Sequence, residues 1–358
     1  MIFLRKLFIY LILFFLFLFP KVIYADSGHS TVVMDISSGR VLYSKNSEDR
    51  LLIASTTKIM TCIVVLENAD LEKEVTAGEE VLSMYGTNIY IEYGEKLKVK
   101  DLLYGLMLRS GNDAAITLAV QTFGSEEDFV KAMNDKAKEI GMKNTTFENP
   151  HGLDDNSYNY STAYDMALLS QYAYQNPIYR EIVSTKKYAT KSSLKSYLWY
   201  NRMSLLSLYS NCIGGKNGYT PKAGKSLVSL AKKDDLILTI ASLDDPDLYS
   251  NHKNLYEKYF KDYQYYKIID KKKFYIESSL IEDRSVYIED DFYYPLKESE
   301  LSKVSTFIHI YPKSKKKIVG DIDIQLDGES IGNISIYEKE QKKEDKFSIF
   351  RFFRNLFV

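Results

Sequence analysis

Histidine, cysteine, proline and excess charge are all scarce in this chain of 358 residues, and each shortage removes a class of explanation. The four histidines, His29, His151, His252 and His309, are scattered without ligand spacing, and no H-E-x-x-H stretch occurs, so neither a metal nor any other cofactor is expected. Cys62 and Cys212 are the only cysteines. They read as two small buried hydrophobes, although an exported chain could pair them. Lys and Arg number 47 against 48 Asp and Glu, a formal net charge of -1, which gives no argument for a nucleic-acid partner. No G-x-S-x-G elbow is present, which argues against an α/β-hydrolase. Gly218 to Ser226 imitates a phosphate loop, but five residues separate Gly218 from Gly224 where four are needed.

What is abundant points to order. Thirty Tyr and 18 Phe beside 17 Gly and seven Pro suit a protein with strands, and the length suits two domains with a real core. Residues 1–25 read as a signal peptide: Arg5 and Lys6, an apolar run from Leu7 to Phe19, then Pro20 and the small Ala25. The run is shorter than the ~20 residues of a membrane span, so the mature chain is expected to start near Asp26, outside the cytoplasmic membrane. No cysteine near the cleavage point supports a lipid anchor.

Ser30 to Asp35 and Val41 to Ser44 read as a β-hairpin. From Ser55 to about Tyr172 the pattern is mostly helical, with segments starting at Asp101, at Ala114 and at Glu126, the last closing at Gly141. Thr162 to Asp165 fits a helix cap. Strands return at Lys216 to Thr220, Ser226 to Ala231 and Leu236 to Leu243, so both ends of the segment build one antiparallel sheet. Asp247 to Tyr266 is expected to be a helix. Alternation from Lys267 to Tyr337, with a hairpin turn at Asp327-Gly328, predicts a small all-β domain. The expected organisation is thus 1–25 leader, 26–262 catalytic domain, 263–337 β-domain and 338–346 charged linker. The last piece, 347–358, has Ile349, Phe350, Phe352, Phe353, Leu356 and Phe357 on one helical face, which suits a helix lying in a membrane surface.

Three stretches carry chemistry. Ser55 and Lys58 stand one helical turn apart at the head of an apolar helix marked by Ile59, Met60, Ile63 and Leu66. A serine hydroxyl needs a base, and Lys58 can serve only if burial or a second cation keeps its amine neutral, well below the ordinary pKa of ~10.4. Ser-x-x-Lys also occurs at Ser184, Ser192, Ser229, Ser250 and Ser314, so this spacing alone decides nothing. The second stretch, Ser110-Gly111-Asn112, read locally is a turn that starts a helix, and read with Ser55 it offers a proton-passing hydroxyl and an amide for a substrate carbonyl. The third is Gly214-Gly215-Lys216-Asn217-Gly218-Tyr219. There Lys216 could meet a carboxylate and depress the Lys58 pKa, Gly218 would admit a substrate backbone, and the N–H groups of Ser55 and Tyr219 could form an oxyanion hole.

Three such motifs in this order resemble the active site of penicillin-recognising serine enzymes. Within that group Ile53 to Lys58, Arg109 to Ala114, Asn149 to Asp154 and Tyr160 to Ala167 resemble the low-molecular-mass D-alanyl-D-alanine carboxypeptidases. The resemblance runs from about Gly28 to Tyr259. It implies a mixed α/β, transpeptidase-like fold with an antiparallel sheet and helical insertion, a peptidoglycan stem-peptide substrate, β-lactams as inhibitors and an acyl-enzyme on Ser55. It assigns Ser55, Lys58 and Ser110 to catalysis and Asn112, Lys216, Asn217, Gly218 and Tyr219 to substrate binding. The family usually has threonine where Asn217 stands; an asparagine amide still donates to a carboxylate. The alternatives are a β-lactamase and a wall-binding protein without catalysis.

Overall fold

Every residue of the strand Ser30–Asp35 (β1) is buried, because it has a neighbour on each side and helices against its face. Val41–Lys45 (β2) pairs with it as a hairpin, and Cys212–Thr220 (β3), Gly224–Lys233 (β4) and Leu236–Leu243 (β5) complete an antiparallel sheet of order β2-β1-β5-β4-β3. The pairs Val32 with Ala241, Leu230 with Thr239 and Val228 with Lys216 fix its register. The two ends of the segment therefore meet at the centre of one sheet, as expected from the sequence, and β3 is left as an edge.

The computed structural model describes residues 26–276, 285–311 and 317–339, and the chain divides into two compact units between Lys261 and Asp262. In the first unit the longer helices between β2 and β3 are Lys58–Asn68 (α1), Val99–Arg109 (α2), Asn112–Phe123 (α3), Glu126–Ile140 (α4), Ala163–Tyr174 (α5) and Pro177–Ser184 (α6). Their starts follow local chemistry. The Ser125 hydroxyl accepts the Asp128 N–H ahead of α4, and the Thr162 hydroxyl accepts the Asp165 N–H ahead of α5. Ile59, Met60 and Ile63 of α1 join Leu102, Leu106, Leu118, Phe129 and Met133 in a single core against Val228, Leu230, Ala241 and Leu243 of the sheet. Full burial of each such side chain contributes about 1.5–3 kcal/mol.

The other face of the sheet carries the helix Leu248–Asp262 (α7). Its His252 imidazole sits 2.7 Å from both Ser229 Oγ and Ser242 Oγ, the residues alternate to the core-facing ones. Burial pulls the His252 pKa down to about 4, and a neutral ring offers one donor and one acceptor to the two hydroxyls.

The structure corrects the helix expected from Asp247 to Tyr266. It stops at Asp262, and Gln264–Ile269 is a strand paired with Phe292–Leu296. Alternating tyrosines at that junction fit either period. The hairpin Lys187–Lys191 with Ser196–Tyr200 was not expected either. In the second unit Val286–Tyr287, Glu329–Glu338, Ile318–Leu326 and Val304–Ile310 form a sheet in that order over Ile288, Val319, Ile322, Ile324 and Ile336. Asp327 and Gly328 take φ of 55° and 87°, the paired left-handed turn expected there. The expected leader at 1–25, the expected linker from residue 340 and the apolar segment 347–358 lie outside the described residues. Among the described residues no helix is long and apolar enough to cross a membrane. Cys62 and Cys212 are both free and buried.

Candidate active site

Ser55 lies in one turn of 3-10 helix, Ala54–Thr57, that runs directly into α1. The sequence placed it in the first turn of that helix; the tighter turn puts Lys58 at the first α-helical residue instead. Ala54 is held at φ 46°, a left-handed conformation that a residue with a Cβ adopts only under constraint. The constraint is visible: the Thr57 hydroxyl donates to the Ala54 carbonyl at 2.8 Å, and Gly152 packs on that same oxygen. A Cβ at Gly152 would come within 2.0 Å of it.

Lys58 is fully buried. Its Nζ stands 3.1 Å from Ser55 Oγ, 2.8 Å from Asn112 Oδ1 and 2.5 Å from the His151 carbonyl. Burial above all, and then the Lys216 charge, hold its pKa well below the ordinary lysine value, against an opposing pull from Asp113. A neutral amine has two hydrogens and one lone pair. Two carbonyl oxygens accept the hydrogens, so the lone pair is left for the Ser55 O–H.

Asn112 opens α3 and is engaged on both sides of its amide, since Nδ2 also donates to the Tyr85 carbonyl at 2.8 Å. One amide hydrogen remains for a substrate carbonyl. The neighbouring Asp113 carboxylate accepts the N–H groups of Ile89, Ile91 and Ala114, which fixes the loop around the motif. Ser110 ends α2 at φ 63°. Among the described residues the hydroxyl of the buried Ser110 has no hydrogen-bond partner.

The third stretch forms most of edge strand β3. Lys216 is buried, and its Nζ donates to the Asn217 carbonyl at 2.6 Å. Burial, helped by the Arg202 charge, brings its pKa down to about 7. Arg202 was missed from the sequence, because a lone arginine outside any motif carries no local signal. Gly218 passes so close to the nucleophile that a Cβ there would lie 2.7 Å from the Ser55 nitrogen. Asn217 and Tyr219 alternate to the opposite side. With Lys225 and Pro246 to Ser250 they line an open cleft of about 470 Å³, and Tyr219 is 64% exposed.

Residues Glu148 to Asn159 form a loop that braces this assembly. The Asn149 side chain accepts from the His151 and Gly152 N–H groups at 3.2 and 2.6 Å, and Asn159 Nδ2 donates to Thr57 Oγ1 at 2.9 Å. Thr61 Oγ1 donates to the Pro150 carbonyl at 2.5 Å. Burial, with the Lys58 charge second, pushes the His151 pKa down to about 3, so the ring is neutral and its Nδ1 accepts the Leu153 N–H at 3.1 Å.

Comparison with known proteins agrees with this geometry. The family model of the S11 peptidases, described as D-alanyl-D-alanine carboxypeptidase, matches residues 22–247. The chain is similar to D-alanyl-D-alanine carboxypeptidase DacF of Bacillus subtilis, 31% identical over 345 residues that cover 91% of this chain and 88% of that protein. Among solved structures, penicillin binding protein 5 from Haemophilus influenzae aligns with a TM-score of 0.74 at 27% identity, over 88% of this chain and 97% of that one. The D-alanyl-D-alanine carboxypeptidase DacD from Francisella tularensis gives 0.71 at 26% identity, over 90% and 95%. A serine and a buried amine in contact, on a penicillin-binding, transpeptidase-like fold, agree with what the family match says of the whole chain: it belongs to the S11 family of serine-type D-alanyl-D-alanine carboxypeptidases.

Proposed function

We propose that this carboxypeptidase removes the terminal D-alanine of peptidoglycan pentapeptides through an acyl-enzyme on Ser55. The observation that carries the reading is the Lys58 amine, buried and held by two carbonyl oxygens with Ser55 Oγ as its third neighbour. Lys58 takes the Ser55 proton as Oγ bonds to the penultimate D-alanine carbonyl carbon. The oxyanion develops toward the N–H groups of Ser55 and Tyr219, a type of contact worth about 2.7–4 kcal/mol per donor. The C–N bond then breaks, and the proton returns through Ser110 to the departing amine of D-alanine. Water adds to the Ser55 ester with Lys58 again as base, which frees the shortened peptide and restores the hydroxyl. Asn112 orients the acyl side with its remaining amide hydrogen. Lys216 binds the terminal carboxylate and Gly218 admits the substrate backbone, while the Asn217 side chain, expected to join Lys216, alternates to the other side of β3; β-lactams acylate the same hydroxyl.

In this reading residues 26–262 perform the chemistry and 263–337 form a separate β-domain. The leader 1–25 directs export, and the apolar face of 347–358 keeps the enzyme at the outer surface of the cytoplasmic membrane. Incubation with a pentapeptide ending in D-Ala-D-Ala tests the chemistry. The wild-type protein should release one D-alanine per peptide and Ser55→Ala none; release by the alanine variant would overturn the assignment. Rapid turnover of penicillin, in place of a long-lived adduct, would favour the β-lactamase reading.

A further inference from the structure

We propose that Asp154 is a positioning residue that ties the nucleophile turn to the oxyanion strand, an inference that rests on the acyl-enzyme reading of Ser55. Two structures must stay in register for that chemistry: the Ala54–Thr57 turn, which carries the Ser55 N–H, and β3, which carries the Tyr219 N–H. They belong to different parts of the chain, and β3 is an edge strand with a partner on one side only. Sheet pairing with β4 does not hold it against Ser55.

The Glu148 to Asn159 loop does. On one side Gly152 is seated on the Ala54 carbonyl, and the His151 carbonyl accepts from Lys58. Two residues later the buried Asp154 carboxylate accepts the Thr220 hydroxyl at 2.5 Å. Thr220 is the last residue of β3, next to Tyr219, and its oxygen also accepts the Ala223 N–H at 3.0 Å. An ionised carboxylate only accepts, so the hydroxyl proton is directed to Asp154. The Lys222 amine donates to the Asp154 carbonyl at 2.7 Å and lies 5.1 Å from the centre of the Tyr158 ring, so the β3–β4 turn is tied to the loop twice. Consecutive Cα atoms are about 3.8 Å apart, so the link from Gly152 to Asp154 spans at most about 7.6 Å. Asn149 stiffens it through the Gly152 N–H and the Leu153 carbonyl. A displacement of β3 relative to Ser55 thus has to break the Asp154–Thr220 bond or deform this short span.

The test compares Asp154→Ala, Asp154→Asn, Thr220→Val and Thr220→Ser with the wild-type protein. For each, the acylation rate by labelled penicillin, kcat and KM on a D-Ala-D-Ala peptide, and urea unfolding are measured. Asp154→Ala and Thr220→Val should each lower acylation and kcat by about 100-fold, the scale of one lost oxyanion donor, with KM within about 3-fold. Asp154→Asn and Thr220→Ser keep the acceptor and the hydroxyl and should return to within about 5-fold of wild type, and the double Asp154→Ala, Thr220→Val variant should be no slower than either single one. Acylation near wild type in Asp154→Ala or Thr220→Val, with only the unfolding midpoint lowered, overturns the proposal, as does an Asn variant as slow as the Ala one. If Asp154→Ala does not fold, the Thr220 pair decides. Failure of the underlying reading looks different: the wild-type protein would form no adduct on Ser55.

Discussion

Replacing Asn112 with aspartate exchanges an amide nitrogen for an oxygen at nearly constant shape, and it places a negative charge where Lys58 now meets a neutral carbonyl. The present Lys58 Nζ to Asn112 Oδ1 distance is 2.8 Å, and at an effective dielectric near 20 a unit charge at that distance attracts an ammonium by about 6 kcal/mol. That energy corresponds to a factor of about 10⁴ in favour of the protonated lysine. The substitution also turns the Tyr85 carbonyl from hydrogen-bond acceptor to an unpaired group, a cost of about 1–3 kcal/mol set against the new ion pair. Asn112→Asp should therefore fold, keep a lysine that is an ammonium at neutral pH, and acylate with labelled penicillin at least about 100-fold more slowly than wild type. Its rate should climb with pH as Lys58 deprotonates. Asn112→Ala loses the same hydrogen bond without adding charge, so its rate should fall with the wild-type pH profile. An aspartate variant whose acylation rate and pH profile match wild type would refute the argument that a neutral Lys58 is the base.

Other outcomes follow from the same geometry. Lys216 titrates near 7 in the folded protein and at the ordinary 10.5 when unfolded, so between those values the unfolded chain holds more protons. Its contribution to stability thus rises with pH across that window, by up to about 1.4 kcal/mol per pH unit. The same titration removes a cation from the carboxylate site, so KM for D-Ala-D-Ala peptides should increase as pH passes 7, and Arg202→Ala should move that increase to higher pH; a KM unchanged up to pH 9 would contradict it. Gly218→Ala places a Cβ 2.7 Å from the Ser55 nitrogen and 3.0 Å from that of Thr56, both backbone atoms that cannot step aside. Acylation should fall by about 100-fold or more, the scale of a lost oxyanion contact, and a variant that acylates normally would show that β3 does not form that wall.

Local signals in the chain were readable where one residue type has one use. The Glu126 start and the closing Gly141 delimit α4, and the Thr162 cap of α5, the largely apolar run of β5 and the Asp327-Gly328 turn were placed correctly. Ser55 and Lys58 were legible together because four residues of one helix turn carry them. Asn112, Lys216 and Gly218 around them were legible too, but the rest of their surroundings was not. The His151 carbonyl that holds Lys58 is 93 residues away and is a backbone atom, invisible to residue type. Arg202 acts through space on Lys216 from a segment with no motif, and the Asp154–Thr220 tie joins residues 66 apart. The Ser196–Tyr200 strand alternates in burial, with Tyr197 and Trp199 inward, but Leu198 and Tyr200 on its outward face are apolar as well and mask the period. The end of α7 was overrun in the sequence for the same reason, since Tyr263, Tyr265 and Tyr266 follow it.

The protonation state of Lys58 is the quantity on which acyl transfer depends. It can be read from the side-chain nitrogen resonances of lysine-labelled protein, with Lys58 identified by its loss in Lys58→Arg. The account predicts an amine that is neutral over the pH range in which the enzyme releases D-alanine and gains its proton only below that range. An ammonium at Lys58 throughout the range in which the enzyme releases D-alanine would contradict it.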